Sequence, residues 1–311
     1  MTPLVSVIMP TYNHEKYISQ AIESLLSQNT KYSYELIIND DCSNDKTAII
    51  AKDYAEKYPD KIFFLSPGNT NQGLLKSYKK LINNARGKYI AILESDDLWS
   101  NELKLEKQVS FLEENDEYGL CASDFIRIDE HSCIIDSVSH DFYKELDGNW
   151  FHQEICQNMI CAATAIFRKD FFFKFCNIDE YIENKFKTFD YPTWLLISAN
   201  SKCKYIPEKL ASYRIIKSSI SNSGNFRKRI SFENGVTDIQ NYIIRKYPEK
   251  NINLYKVEEQ RNLRYLSICL KFNKFFHFIF YAKRLHSDIF KFKMLHFFPI
   301  LWYFQHKLRI K

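Results

Sequence analysis

Residues 94–97 read Glu-Ser-Asp-Asp and follow directly on an apolar run, Tyr89 to Leu93. Oxygen ligands of this kind suit hard divalent ions such as Mg2+ or Mn2+, which in turn neutralise phosphate charge. Taken alone, the same four residues equally make a solvated turn. A second acidic cluster, Asp40-Asp41-Cys42-Ser43-Asn44-Asp45, also follows an apolar run. A carboxylate there accepts a hydrogen bond from the ring N–H of uracil or guanine, but finds no such donor on neutral cytosine or adenine. Asp41 is the candidate for that contact, and Tyr12 in Pro10-Thr11-Tyr12-Asn13 offers a face on which a base can stack. Asp40, Ser43 and Asp45 serve just as well as caps for a following helix.

The elements that must hold these clusters are legible in the periodicity. Runs at 5–9, 34–39, 62–65 and 89–93 read as strands. Ile18, Ala21, Ile22, Leu25 and Leu26 fall at i, i+3, i+4, i+7 and i+8, the stripe of an amphipathic helix. Residues 46–58, 74–84 and 101–115 read as further helices, the last with Ser100 as N-cap. The resulting βαβαβαβα order predicts a mostly parallel sheet, in which ligands bind beyond the carboxyl ends of the strands. All the polar clusters, including Asn69 to Gly73, sit there. Residues 130–225 predict short strands and loops, around 163–167 and 205–206, and a helix near 191–200. Beyond 225 the spacing is helical, through about 226–246, 254–272 and an aromatic tail.

Composition excludes several classes. With 45% hydrophobic residues, including 25 Phe and 20 Tyr, the 311-residue chain has ample core material and is not disordered. Eight cysteines form no CxxC pair and read as reduced thiols rather than a zinc or redox site. No Gly-x-Gly-x-x-Gly follows the first strand and no Gly-Lys-Ser/Thr loop occurs, so dinucleotide and P-loop sites lose support. Residues 1–9 do not read as a signal peptide, and no stretch reaches the length of a membrane span. The cytoplasm is therefore the expected compartment.

The segments VSVIMPTYNHEKYISQAIESLLSQ, IINDDCSNDKT, NQG and ARGKYIAILESDDLW, in this order over about residues 4–125, resemble the family 2 inverting glycosyltransferases. The resemblance implies the GT-A nucleotide-diphospho-sugar transferase fold, a Rossmann-like mixed sheet flanked by helices. It also implies transfer of a sugar from a nucleotide diphosphate, by expectation a UDP-sugar, to a saccharide acceptor. On this reading Pro10 and Tyr12 lie near the base, Asp41 on uracil, Asp96 near the ribose and Asp97 on a Mn2+ or Mg2+ ion. Glu94 stands where the family often has Asp. The family's catalytic acid in the acceptor half is matched by Thr188-Phe189-Asp190-Tyr191-Pro192-Thr193-Trp194, which nominates Asp190 as base. Pro192 just inside a helix start makes a capping role the competing reading. Tyr213-Arg214 and Ser218 to Ser221 resemble a segment that closes near the donor phosphates, with Arg214 or Lys217 assisting the leaving group. Trp99 is expected to help exclude water.

These expectations divide the chain into a catalytic region, 1–225, with a nucleotide-sugar half to 125 and an acceptor half beyond, and a helical C-terminal extension, 226–311. A non-catalytic nucleotide-sugar-binding protein and a nucleotidyltransferase are the competing functions; the latter normally has a Gly-rich basic loop near its first strand, which 10–16 is not. The formal charge of +5 is concentrated at the C-terminus: residues 271–311 hold nine Lys/Arg, four His and thirteen aromatics against one acid, Asp288. Such a tail suits the surface of an anionic membrane, with a lipid-linked acceptor at its inner face, and equally suits a helical core with solvated lysines. No nucleic-acid partner is expected.

Overall fold

The computed structural model describes residues 2–65, 68–139, 146, 148–216, 223–282 and 284. Four strands, β1 (Val5–Thr11), β2 (Tyr34–Asp40), β3 (Ile62–Leu65) and β4 (Tyr89–Ile92), alternate with helices α1 (Ile18–Leu26), α2 (Thr47–Lys57), α3 (Leu74–Asn84) and α4 (Lys104–Glu114). There follow β5 (Tyr118–Ile128), β6 (Ile134–Val138), α5 (Phe151–Glu154), β7 (Ile166–Arg168), α6 (Lys169–Phe175), α7 (Ile178–Glu183), α8 (Asp190–Ser198) and β8 (Lys202–Arg214). Three helices, α9 (Phe226–Lys246), α10 (Leu254–Lys271) and α11 (Phe275–Ala282), complete the described chain.

The strands make one mixed sheet in the order β3-β2-β1-β4-β7-β5-β6, with β8 paired to β5. The four N-terminal strands are mutually parallel. Alternate side chains of β1 enter opposite cores, because a strand's residues point to opposite faces in turn. Val5, Val7 and Met9 pack with α1 and α4, while Ile8 packs with α3 and α8. Helix α8 is buried from Tyr191 to Ser198, with Thr193 Oγ1 donating to Phe189 O at 2.7 Å and Ser198 Oγ to Leu195 O at 3.3 Å. Ile239, Ile243 and Val257 join the same cluster as Tyr191 and Trp194, so α9 and α10 share the core of the sheet.

Two features depart from the sequence expectations. Residues 202–214 form one long strand rather than a short run near 205–206, paired in parallel with β5 along its length. Pro207, which lacks a ladder donor, falls where the register jumps from Ser123↔Ile206 to Asp124↔Lys209, so a bulge absorbs it. At the start of α4, Ser100 is not the cap: Leu103 stands at that position without a side-chain cap bond, and the turn before it is closed by Asn101 Oδ1, which accepts from Leu103 N at 2.9 Å.

Helix α4 anchors the loop that leaves β4. Fully buried Lys104 donates to Gln108 Oε1 at 2.5 Å, with its Nζ 4.4 Å from the ring centroid of Trp99. Burial pushes the Lys104 amine down to about 7 from 10.5. Between those values the unfolded chain binds the proton and the folded chain does not, so folding gains stability as pH rises through this window. Denaturant titrations of wild type and Lys104→Met are expected to diverge there: wild type gains on the variant by up to about 1.4 kcal/mol per pH unit. A difference independent of pH between 7 and 10 would show that Lys104 keeps its charge on folding.

Candidate active site

The site is built where β1, β2 and β4 end side by side. The loops after β1 and β2 clasp each other. Asn13, at φ 57°, donates from its backbone N–H to Ser43 Oγ at 2.8 Å, and its Oδ1 accepts from Asn44 N at 2.8 Å. Asp40 accepts from Ser43 N, and Asp45 from Thr47 N and Glu15 N, so these two acids stiffen the loops; the cap position of α2 is Lys46, which makes no side-chain cap bond. Asp41 does something else. Its two carboxylate oxygens accept from Gln72 N at 2.7 Å and Gly73 N at 2.8 Å, which ties the Asn-Gln-Gly segment to the end of β2. A carboxylate has about four acceptor positions, so Asp41 retains acceptor capacity beyond this tie. Tyr12 is 42% exposed, an open aromatic face at the same edge, whereas Pro10 is buried in β1.

The acidic loop after β4 is more deeply set. Ser95 and Asp97 are buried and Glu94 and Asp96 partly exposed. Asp97 Oδ1 accepts from Arg214 N at 2.8 Å, and Asp97 Oδ2 is buried with no hydrogen-bond partner. Burial, then the charges of Asp96 and Glu94, push the Asp97 carboxyl well above the ordinary carboxylate range. Glu94, raised to about 8, responds to burial first and then to Asp96 and Asp190, while Tyr78 donates to its Oε1 at 3.1 Å. Asp190, at the first turn of α8, is thereby brought into the electrostatic reach of the β4 loop. Burial raises its own pKa, opposed by hydrogen bonds involving Tyr191, Thr188 and Asn158.

An orphaned buried carboxylate oxygen beside raised carboxyl groups is what a cation ligand looks like before charge compensation. The residues fit a divalent ion at Asp97. Among the described residues no three His, Cys, Asp or Glu side chains form a ready-made ligand set, so a bound phosphate would have to supply further oxygens.

Arg214 has a different place from the one expected. Its guanidinium donates to Asp96 O at 2.8 Å, Asp129 O at 3.0 Å, Ser132 Oγ at 3.0 Å and Gln20 Oε1 at 2.9 Å, and it lies 4.7 Å from the ring centroid of Tyr17. Side chain and backbone N–H together lock the end of β8 to the acidic loop, to α1 and to the β5–β6 turn. With four of its five N–H donors committed to the protein, Arg214 positions the acidic loop and keeps one Nη2 N–H beyond these bonds. Lys217 and 218–221 lie outside the described residues. Trp99 is 3% exposed and donates its indole N–H to Ala163 O at 3.1 Å.

Two neighbours were missed in sequence. His14 Nδ1 lies 2.7 Å from Ser95 Oγ, with Nε2 3.9 Å from Asp96 Oδ2. Tyr78, on the buried face of α3, stacks on Phe189 with centroids 4.1 Å apart and so links α8 to Glu94. The signal for His14 was its place next to Asn13; Tyr78 looked like ordinary helix core.

A Rossmann-like mixed sheet with a carboxylate cluster at its strand ends is the frame of a GT-A glycosyltransferase. Residues 6–172 match the model of Glycosyl transferase family 2, and the chain belongs to that family. An uncharacterised glycosyltransferase of Methanocaldococcus jannaschii is 34% identical over 232 residues, 73% of this chain and 74% of that protein. The putative teichuronic acid biosynthesis glycosyltransferase TuaG of Bacillus subtilis is 32% identical over 230 residues, 71% of this chain and 82% of the relative. Among solved structures, the mannosyltransferase PcManGT from Pyrobaculum calidifontis, in complex with GDP-Man and Mn2+, shares the fold with a TM-score of 0.63 at 17% identity, covering 99% of this chain and 83% of that one.

Replacing Arg214 by Lys removes the fork that reaches four partners and leaves one compact charge. Thermal melts of Arg214→Lys are expected to show a loss on the order of 1–2 kcal/mol, because the partly buried oxygens around the guanidinium lose donors. An unchanged melting temperature with lost transfer would restore Arg214 to the leaving-group role.

Proposed function

We propose that this glycosyltransferase inverts configuration at the anomeric carbon, taking a sugar from a nucleoside diphosphate and placing it on a saccharide hydroxyl. The observation that carries this reading is that Asp190, in the first turn of α8, lies within electrostatic reach of Glu94, the first residue of the acidic loop after β4. Such a pairing supports the reading, because displacement at a sugar carbon calls for a proton acceptor near a group that neutralises phosphate.

The nucleoside would lie at the ends of β1 and β2, with its base against Tyr12 and its ring N–H within reach of Asp41. Asp96 is the candidate for the ribose. A Mn2+ or Mg2+ ion held by Asp97 would neutralise charge on the departing diphosphate. The acceptor oxygen forms its bond to C1 as the bond from C1 to the phosphate oxygen breaks, and the acceptor's proton passes to Asp190. General-base assistance of this kind contributes roughly 10²–10⁴-fold. The rigidity of α8 matters here, since a carboxylate misplaced by about 1 Å loses much of that advantage.

Uracil is the base the sequence resemblance suggests, while the similar mannosyltransferase is named with GDP-Man. Both bases present a ring N–H to a carboxylate, so the contact at Asp41 accommodates either. The acceptor is proposed to be a growing cell-surface polysaccharide or its lipid-linked precursor at the inner face of the membrane; the teichuronic acid relative supports the polysaccharide class.

A panel of UDP- and GDP-sugars, assayed for release of free nucleoside diphosphate in the presence of candidate saccharides, identifies the donor. With that donor, Asp190→Asn is expected to retain donor affinity while transfer falls by at least about 10²-fold, because the amide keeps the shape but accepts no proton. Parallel loss of affinity and turnover, or loss of neither, would make Asp190 a structural residue of the α8 start.

A further inference from the structure

Helix α11 is apolar but for His277, and among the described residues its packing is one-sided. Phe278, Tyr281 and Ala282 turn toward α10, where they pack with Leu263 and Leu266, and Tyr281 stacks on Tyr265 with centroids 4.4 Å apart. The opposite arc carries Phe275 at 53% exposure, Phe276 at 86%, Ile279 at 36% and Phe280 at 52%. At 100° per residue these four positions span about 140° of the helix, a continuous apolar face. So apolar a helix face is ordinarily covered, and no described residue covers this one.

The rim of the face is basic. Phe226, the first residue of α9, packs edge-on against Phe272 and His277, with centroids 5.8 and 5.3 Å apart, which sets the start of α9 beside α11. Lys274 Nζ lies 5.6 Å from the Phe226 ring centroid, and the Arg284 guanidinium 4.4 Å from that of Phe280. Exposed Arg227 and Lys228 follow Phe226 directly, and exposed Lys271 precedes Phe272. Neither 226–232 nor 270–284 contains an acidic residue.

We propose that the exposed face of α11, with the basic start of α9 beside it, docks on an anionic lipid bilayer. Aromatic rings ringed by lysine and arginine match such a surface in both of its layers: rings enter at headgroup depth, and the cations meet lipid phosphate and carboxylate. A second copy of this chain is the less suited occupant, because two such faces would bring like-charged rims together. No helix among the described residues is long and apolar enough to cross a membrane.

Co-sedimentation of the full chain with vesicles tests this independently of catalysis. The protein is expected to pellet with phosphatidylcholine vesicles containing phosphatidylglycerol, to stay in solution with phosphatidylcholine alone, and to be released by rising salt. Phe276→Ser with Phe280→Ser, and separately Arg227→Glu with Lys228→Glu, are each expected to weaken binding about tenfold or more. These side chains are exposed, so both variants should melt like wild type. Wild type that binds neither vesicle, or variants that bind like wild type, would overturn the proposal. Sedimentation equilibrium showing a dimer that Phe276→Ser with Phe280→Ser dissolves, without any vesicle binding, would assign the face to a second copy instead.

Discussion

Carboxylates that share a poorly solvated space repel one another, and everything at the C-terminal edge of this sheet is arranged around that repulsion. Glu94 feels the charges of Asp96 and Asp190, Asp97 feels those of Asp96 and Glu94, and burial is the largest influence on Glu94, Asp97 and Asp190. The fold tolerates the arrangement by supplying donors at particular atoms: Arg214 N to Asp97, the Tyr78 hydroxyl to Glu94, and the start of α8 to Asp190. One oxygen, Asp97 Oδ2, is left without any. Sites that perform chemistry are where such uncompensated charge is retained, because a ligand supplies the compensation.

Rigid surroundings keep the cluster from relaxing apart. Arg214 joins three segments that are remote in sequence, and the Leu98–Ser212 bridge holds the same two strand ends together through paired backbone bonds of 3.0 and 2.8 Å. On the opposite side, Gln240 of α9 donates to the Tyr191 hydroxyl at 3.2 Å and to Ile155 O at 2.7 Å, while Arg261 and Arg264 of α10 hold Gln240 Oε1. Tyr191 is the neighbour of Asp190. The C-terminal helices thus brace the helix that carries the candidate base.

Much of this was legible in sequence, and for identifiable reasons. The first half alternates strand and helix with clean periodicities, so its elements and the polar clusters at their ends read directly; helix 226–246 has matching bounds because Asn225 is a true N-cap, its side chain accepting from Lys228 N. Strand β8 did not read, because Pro207, Glu208 and Lys209 interrupt its alternation and only pairing with β5 keeps it extended. The role of Arg214 did not read either: its four acceptors come from residues 20, 96, 129 and 132, a convergence that no local pattern encodes. Asp41 was legible as an acceptor of N–H groups, but its protein partners, Gln72 and Gly73, emerge only when β2 and the α3 start are brought together. Of the aromatic tail, α11 packs one face on α10 and leaves the other exposed; residues 283 and 285–311 lie outside the described residues.

The central claim is that the charge left uncompensated at Asp97 is completed by a cation and a diphosphate together. Calorimetric titration of UDP and GDP, with and without Mn2+, into wild type and Asp97→Asn measures this directly. The account predicts that Mn2+ strengthens nucleoside diphosphate binding to wild type by at least about tenfold, that nucleotide strengthens Mn2+ binding by the same factor, and that both effects vanish in Asp97→Asn. Equal nucleotide affinity with and without metal in wild type, or coupling that survives in Asp97→Asn, would contradict it.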